Sequence, residues 1–194
     1  MNYVALDFET ANLRKAGACS IGLAKFDEEG VVVDTYYSLI CPRYKYFDPF
    51  MTRVHNLSSK ECLLSPTFDK LWPEIVDFIS NDIIVAHNLK FDYGVLQGCL
   101  EEYSLDLQNN VFYCTFQISR KKWPEYKSHK LTALSERFEL NYRAHHALDD
   151  AINCGKLLKI ACGDKTFDRV KLINYLDYDL KVKSKAMVES GYLF

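Results

Sequence analysis

The feature that most constrains the fold is a short apolar run near the start of the chain that carries two carboxylates. Val4 to Glu9 reads V-A-L-D-F-E, which is typical of a strand buried in a sheet. Residues two apart share one face of a strand, so Asp7 and Glu9 point the same way, while Leu6 and Phe8 lie on the other face. Such neighbouring carboxylates repel each other and lose hydration, and a bound divalent cation removes both costs. As an alternative, one carboxylate caps a following helix and the other is solvated.

Strand and helix signals along the chain predict a sheet with helices on its faces. Strand-like segments over 20–26 and 31–40 are joined by a turn signal, so they should pair as a hairpin next to the first strand. Helical and strand-like segments then alternate after a long loop. We therefore expect an α/β fold with a mixed five-stranded sheet, an antiparallel meander followed by parallel strands, flanked by helices. The later elements are helices over 67–79 (with Pro73 acceptable only in the first turn), 89–103, 116–122, 131–138 and 147–160, and strands over 83–86 and 111–115.

A third acidic residue follows the predicted strand over 83–86. That strand ends at the polar residues His87 and Asn88, and the chain then turns into a helix with Asp92 in its first turn. Asp92 can simply favour the helix dipole, which is worth about 0.3–1 kcal/mol. Its location indicates a role in a site, because α/β sheets build their sites where strands end and helices begin.

A fourth acidic residue lies in the segment H-H-A-L-D-D-A at positions 145–151. Helical spacing gives Asp149 polar neighbours one and two turns on, but gives Asp150 the apolar neighbours Cys154 and Leu157. A carboxylate on an apolar stripe needs a partner, so we assign the functional role to Asp150. His145 can be a packing residue before this helix, or its neutral ring can accept a proton from water beside the carboxylates.

Taken together, these residues predict a divalent-cation site at one edge of the sheet. Oxygen ligands favour Mg²⁺ or Mn²⁺ over zinc, and two such ions about 3.5–4 Å apart would clamp the attacking and leaving oxygens of a phosphodiester. The net charge of -2, from 24 basic and 26 acidic residues, excludes attraction to nucleic acid or membrane by bulk positive charge. It leaves room for an acidic site that holds cations.

The remaining composition bears on the compartment. The N-terminal residues show no signal-peptide pattern, and no apolar run approaches the roughly 18 residues of a membrane span. Seven cysteines without a C-x-x-C pair are typical of reduced core thiols. We therefore expect a cytoplasmic protein that does not contact a membrane.

Three motifs now stand in order along the chain: ALDFET with Asp7 and Glu9, VAHNLKFD with Asp92, and HHALDDA with His145 and Asp150. With them the sequence resembles the proofreading-type, DnaQ-like 3′–5′ exonucleases of the DEDD superfamily, which include the epsilon subunit of bacterial DNA polymerase III and ribonuclease T. The resemblance covers roughly residues 3–158. The H-x-x-x-x-D spacing is that of the histidine branch, DEDDh.

The resemblance implies an RNase H-like fold and two divalent cations, Mg²⁺ or Mn²⁺. Asp7, Glu9 and Asp150 would hold one cation, and Asp7 and Asp92 would hold the other. The histidine would act as general base, and the product would be a nucleoside 5′-monophosphate. Family spacing selects His145 for that role, although the adjacent histidine at position 146 is a second candidate.

The resemblance also suggests which residues contact the substrate. Thr10 and Ala11 would meet the 3′-terminal nucleotide through backbone and small side-chain contacts. Val54 and His55 would flank its base, and Asn88 would support the site. A basic segment over 120–130, with Trp123 and Tyr126 among its lysines, can guide a phosphate backbone, or it is a solvated loop between helices.

We therefore predict an exonuclease domain over 1–162 that degrades single-stranded DNA or RNA from the 3′ end. The alternatives are a non-catalytic module that binds nucleic acid or a polymerase, and a nuclease that clears oligoribonucleotides. The expected partners are 3′ ends, with a DNA polymerase subunit as a further candidate, and the oligomeric state is open. The extension over 163–194 could pack on the domain, dimerise or bind a partner.

Overall fold

The computed structural model describes residues 2–14, 16–108, 110–140 and 143–163. The predicted extension therefore lies outside the described residues except for its first one, and the domain boundary at 162 stays a prediction. The strands are β1 (Tyr3–Thr10), β2 (Ala18–Phe26), β3 (Val32–Leu39), β4 (Ile83–Ala86) and β5 (Phe112–Cys114). The helices are α1 (Pro49–His55), α2 (Ser59–Leu64), α3 (Phe68–Ile79), α4 (Leu89–Tyr103), α5 (Thr115–Lys122), α6 (Leu131–Arg137) and α7 (Ala147–Cys162).

The five strands form one mixed sheet in the order β3-β2-β1-β4-β5. The pairs β1–β2 and β2–β3 are antiparallel, whereas β1–β4 and β4–β5 are parallel. The predicted meander followed by parallel strands is therefore confirmed. The first strand becomes the central one, with the meander on one side and the two later strands on the other.

The two faces of β1 enter two different parts of the core. Val4, Leu6 and Phe8 pack with residues of α3 and α4, and all three are at most 2% exposed. Tyr3 and Ala5 pack on the opposite face with residues of α7. Because side chains alternate along a strand, the two carboxylates that follow on this second face are directed to the side where α7 lies.

Two short helices lie between the predicted long loop and α3, in a region to which sequence periodicity assigns no element. Asp48 caps α1 by accepting hydrogen bonds from the backbone N–H groups of Phe50 and Met51 at 2.8 and 3.3 Å, with Pro49 as the first helical residue. Ser58 caps α2 through the N–H of Glu61. Helices of six or seven residues are too short for an apolar period, so only their caps mark them.

Pro73 lies in the second turn of α3, outside the first turn in which a helix readily accepts a proline. A proline there cannot donate to the carbonyl of Asp69, which weakens the helix. The helix persists because Leu71, Trp72 and Ile75 are buried on either side of the proline. Tertiary packing therefore outweighs the missing hydrogen bond.

All seven cysteines are free thiols, and five of them are buried. This agrees with the prediction of reduced core thiols. Within the described part of the chain, no helix is both long enough and apolar enough to cross a membrane.

Candidate active site

The site begins where β1 extends beyond its parallel neighbour. Residues Tyr3–Ala5 of β1 pair with Ile83–Val85 of β4, and the ladder stops there. Further along β1, the backbone N–H of Phe8 donates instead to Oδ1 of Asp92, at 3.1 Å. Asp92 lies in the first turn of α4, immediately after β4, and is 1% exposed. Asp92 therefore lies against β1, the strand that carries Asp7 and Glu9, just beyond the end of the β1–β4 ladder.

A glycine brings α7 close to the same strand. Gly22 of β2 pairs with Asp7 of β1, and a Cβ atom added to Gly22 would lie 2.3 Å from the backbone of Ala147. The first turn of α7 therefore rests directly on the strand pair. Only a residue without a side chain permits this approach, and a glycine inside a buried strand is the sequence signal for it.

The two adjacent aspartates of α7 have different surroundings. Asp150 is 7% exposed. Asp149 is partly exposed, and its Oδ2 lies 3.5 Å from Nε of Arg143 and 3.5 Å from Nδ1 of His146. The structure thus buries Asp150 and places Asp149 in a surface ion pair with Arg143, which is the division that helical spacing predicts.

Glu9, His145 and Asp150 converge. Each offers one possible ligand atom, and these atoms all lie within 4.8 Å of one another. His145 adopts the left-handed backbone conformation with φ of 61°, which is uncommon for a residue other than glycine. His146 instead stacks on the ring of Tyr37, with the ring centroids 4.7 Å apart. Of the two candidate histidines, His145 is the one beside the acids.

The pKa shifts of Asp7 and Asp92 indicate that both carboxylates lie near Glu9 and Asp150. Burial raises the pKa of Asp7 well above its ordinary value, and the negative charges of Asp92, Asp150 and Glu9 raise it further. Burial also raises the pKa of Asp92, an effect that its hydrogen bond from Phe8 opposes. All four carboxylates therefore act on one another across a single site.

The other two acids are shifted in the same direction. Burial and then the charge of Asp150 raise the pKa of Glu9 to about 8. Burial raises the pKa of Asp150 to about 7, although the backbone N–H groups of His145 and His146 oppose the shift. Without a cation, this cluster resists full ionisation near neutral pH.

The cluster fits divalent cations. Its donors are carboxylate oxygens, the ligands that Mg²⁺ and Mn²⁺ prefer. Among the residues that the structure describes, none of the four acids forms an ion pair with a lysine or arginine. A bound cation would offset the repulsion among these four carboxylates.

Two of the predicted substrate residues, Thr10 and Asn88, line a cleft of about 380 Å³, and none of the four acids is among its lining residues. Thr10 directly follows Glu9, and Asn88 adopts a left-handed conformation at the start of α4. Lys90 and Phe91 line the same cleft and were not singled out from the sequence. An exposed lysine and aromatic ring in the first turn of a helix give no sequence signal of their own.

Ala11, in contrast, does not line this cleft. Its side chain is fully buried, its N–H donates to the carbonyl of Gly17, and its carbonyl accepts from the N–H of Asp48. These bonds hold the loop that follows β1. The predicted contact of Ala11 with a nucleotide stays a prediction.

His55 is held as a neutral imidazole close to the end of β1, while the neighbouring Val54 is 39% exposed. The Nδ1 atom of His55 accepts from the N–H of Leu57 at 3.0 Å. Burial lowers its pKa, and nearby His145 lowers it further, whereas a hydrogen bond to the backbone of Thr10 opposes the shift. His55 therefore lies near both the strand end and the other histidine of the site.

The aromatic residues of the basic segment over 120–130 pack on one another. Trp123 stacks on Tyr126 with centroids 5.7 Å apart and also contacts Phe138, and the guanidinium of Arg137 lies 4.0 Å from the Tyr126 ring centroid. These contacts favour the alternative that the segment is a loop between helices, although its two aromatic rings pack rather than being solvated. Neither ring is left open on both faces for a base.

His87, directly after β4, forms hydrogen bonds with the start of α5 and with the loop before α6. Its Nδ1 lies 2.9 Å from Oγ1 of Thr115, and its Nε2 lies 2.9 Å from the carbonyl of His129. Burial lowers its pKa to about 4. A neutral histidine thus holds the loop before α6 against the edge of the sheet that carries the site. Its partners are distant in sequence, so no motif indicates this role.

Comparison with known proteins places this geometry in a family. The family model RNase_T, described as Exonuclease, matches residues 4–158. The chain belongs to the exonuclease family. The chain is 30% identical over 158 residues to the DNA polymerase III PolC-type protein of Latilactobacillus sakei, an alignment that covers 80% of this chain and 11% of the relative.

Another relative has a name that states the direction of cleavage. The exonuclease is 27% identical over 185 residues to the 3′-5′ exonuclease DinG of Staphylococcus aureus, covering 92% of this chain and 20% of DinG. The chain thus spans a tenth to a fifth of the length of these curated relatives.

A solved structure supports the fold. The nuclease domain of 3′hExo, a DEDDh family member bound to rAMP, matches with a TM-score of 0.71 at 14% identity, covering 85% of this chain and 93% of that one. Together with the family match, this confirms the RNase H-like fold. The chain is therefore an exonuclease-family domain whose fold matches that of a DEDDh nuclease.

Proposed function

We propose that this exonuclease hydrolyses single-stranded DNA or RNA from the 3′ end and releases nucleoside 5′-monophosphates. The observation that carries the proposal is the convergence of possible ligand atoms of Glu9, His145 and Asp150 within 4.8 Å of one another. These residues come from a strand, a loop and a helix that are distant in sequence. A merely structural cluster would not need a histidine in a strained conformation next to two acids.

Two divalent cations, Mg²⁺ or Mn²⁺, fit the four acids. Asp7, Glu9 and Asp150 would hold one cation, and Asp7 with Asp92 would hold the other. The cations would supply charge to polarise the scissile phosphate and the attacking water. The raised pKa values support this assignment, because bound positive charge would allow all four carboxylates to ionise together.

His145 would act as general base. In its neutral form, the imidazole accepts a proton from the water that attacks the terminal phosphorus. The bond from phosphorus to the 3′ oxygen of the preceding nucleotide then breaks, and that oxygen takes a proton from water to become a 3′-hydroxyl. The released nucleotide therefore keeps its phosphate at the 5′ position. The neighbouring Glu9 and Asp150 would stabilise the protonated ring by their negative charge.

The cleft would hold the last nucleotide. Thr10 and Asn88 line it, and Lys90 offers positive charge for a phosphate. Ala11 would support this region, and Val54 and His55 on α1 would flank the base. A nucleotide enters such a cleft only when it is unpaired, which favours single strands and frayed ends.

The presence of all four acids and the histidine favours an enzyme over a non-catalytic binding module. The similarity to a DNA polymerase III PolC-type protein supports a polymerase as a candidate partner. The rAMP bound to 3′hExo supports ribonucleotides as candidate products as well. We therefore include both sugars among the proposed substrates.

A substrate panel tests the proposal. The 194-residue protein is incubated with DNA and RNA versions of one 5′-labelled oligonucleotide, as a dinucleotide, a longer single strand and a matched duplex, with Mg²⁺, with Mn²⁺ or with EDTA. We expect metal-dependent shortening from the 3′ end that is faster on single strands than on the duplex. Rapid turnover confined to the dinucleotide would instead indicate oligoribonucleotide clearance. No shortening of any substrate would contradict the proposed activity.

A further inference from the structure

Beyond the cleft, the surface carries a group of exposed aromatic and basic residues that we call the tyrosine strip: Arg14, Tyr44, Lys45 and Tyr46. The side chains of Tyr44 and Tyr46 are 41% and 56% exposed. Arg14 and Lys45 are exposed as well. Neither tyrosine is part of the acid cluster or among the residues that line the cleft.

One buried side chain holds the tyrosine strip in place. Asn12 is 4% exposed, and its Nδ2 donates to the carbonyls of Tyr44 and Tyr46 at 3.3 and 2.7 Å. Its Oδ1 accepts from the N–H of Arg14 at 3.1 Å. The guanidinium of Arg14 also lies 5.1 Å from the Tyr44 ring centroid. The strip is therefore an ordered surface tied to the loop that follows β1.

The tyrosine strip is continuous with the cleft. Asn12 and Arg14 line the cleft together with Thr10, which directly follows Glu9. Moving away from the acids, the surface thus passes from the cleft to Arg14 and then to the two tyrosines. A strand whose 3′ end lies at the acids has its preceding nucleotides on one side of the cleft, and the strip offers a path for them.

The charges of the strip suit a phosphate backbone. Arg14 and Lys45 are basic, whereas the nearby carboxylate of Asp48 is engaged in capping α1. The neighbouring Arg43 is paired with Glu102 at 2.8 Å, so its charge is already balanced. Basic groups between exposed aromatic rings are the combination with which proteins bind single strands without regard to sequence.

We propose that the tyrosine strip binds the substrate strand upstream of its 3′-terminal nucleotide. Bases stack on Tyr44 and Tyr46, and Arg14 and Lys45 contact the phosphates between them. This inference rests on the proposed function, since it extends the path of the same strand. It also assigns single-strand binding to this surface rather than to the basic segment over 120–130, whose rings pack on each other.

The first test compares a short and a long substrate. In the double variant Tyr44→Ala/Tyr46→Ala, we expect kcat/KM to fall about tenfold or more on a single strand of about 20 nucleotides. On a dinucleotide, which does not reach the strip, it should change less than about twofold. An equal loss on both substrates, or no loss on the longer one, would overturn the proposal.

Matched variants separate stacking from folding. Tyr44→Phe/Tyr46→Phe keeps both rings and should retain wild-type kcat/KM on the longer strand. Lys60→Ala/Leu64→Ala removes a charge and an exposed apolar side chain on α2, which is not part of the strip, and should also behave as wild type. If the phenylalanine variant loses as much as the alanine variant, stacking is not the cause and the proposal fails.

A binding experiment distinguishes failure of the strip from failure of the enzymatic proposal. Fluorescence anisotropy in EDTA measures the affinity of the same single-stranded DNA without cleavage. We expect the tyrosine-to-alanine variant to bind about tenfold or more weakly than wild type. Arg14→Ala/Lys45→Ala should reduce the slope of log affinity against log salt by about 1–1.5. If wild type and the tyrosine-to-alanine variant bind equally well, or if neither binds measurably, the proposed role of the strip is wrong even if wild type cleaves normally.

Discussion

The backbone N–H of Phe8 donates a hydrogen bond to Oδ1 of Asp92, 84 residues further along the chain, with the two atoms 3.1 Å apart. This bond replaces a ladder hydrogen bond where β4 ends and β1 continues. One carboxylate thus serves both the sheet and the acid cluster. Its structural and electrostatic roles can be separated by substitution.

Asp92→Asn and Asp92→Ala should have different effects on stability. An asparagine Oδ1 can still accept from Phe8, so Asp92→Asn removes charge but keeps the bond. Asp92→Ala leaves the N–H of Phe8 without this partner, which costs about 1–3 kcal/mol. Thermal unfolding in EDTA should therefore show a lower Tm for the alanine variant alone, while both variants lose activity by about 10²-fold or more. Equal Tm values for the two variants would contradict this role of the bond.

The acid cluster should make the metal-free protein less stable as pH rises. Glu9 has a folded pKa of about 8 and Asp150 of about 7, both above their ordinary values. The folded protein therefore binds protons more tightly than the unfolded chain, and this stabilisation is present at low pH and lost as pH rises through 7 and 8. We therefore expect the Tm of wild type in EDTA to fall more between about pH 5 and about pH 9 than the Tm of Glu9→Gln.

Millimolar Mg²⁺ supplies the control for that experiment. Cations that bind only the folded state should raise the Tm of wild type at the higher pH, where the acids are ionised, more than at the lower pH. Glu9→Gln should show a smaller rise. A Mg²⁺ effect that is the same in both proteins and at both pH values would place the cations elsewhere.

Gly22 should tolerate no side chain. A Cβ at this position would lie 2.3 Å from the backbone of Ala147, so Gly22→Ala must displace the start of α7 and with it Asp150. We expect a loss of about 1–3 kcal/mol in the free energy of unfolding, measured by urea titration, together with a large loss of nuclease activity. Gly94→Ala is the matched stability control, because a Cβ there meets no atom within 4 Å inside a helix. That substitution should stabilise the protein by about 0.5–1 kcal/mol.

The two adjacent histidines should separate catalysis from packing. His145→Ala should lower kcat by about 10²–10⁴-fold with little change in Tm, because the side chain is exposed and adjoins the acids. His146→Ala should lower Tm by removing the stack on Tyr37, with a smaller effect on kcat. Steady-state kinetics and thermal unfolding of both variants check this. The reverse pattern would make His146 the base.

The features that could be predicted from the sequence are those that depend on local periodicity. Period-two alternation placed Asp7 and Glu9 on one face of β1, and helical spacing separated Asp150 from Asp149. Short caps, not periodicity, specify α1 and α2, so those helices were missed. The approach of α7 to Gly22 and the bonds of Asn12 to the tyrosine carbonyls join distant segments. Such contacts have no local pattern, and only the folded chain reveals them.

The most direct test of the central claim is the identity of the first product. A single-stranded oligonucleotide with a 3′-terminal labelled nucleotide is incubated with Mg²⁺ and the wild-type protein or Asp7→Asn, and the products are resolved by mass spectrometry. We expect wild type to release the labelled nucleoside 5′-monophosphate, and Asp7→Asn to release it about 10²-fold or more slowly. Release of a nucleoside 3′-monophosphate, cleavage from the 5′ end, or equal turnover by Asp7→Asn would contradict it.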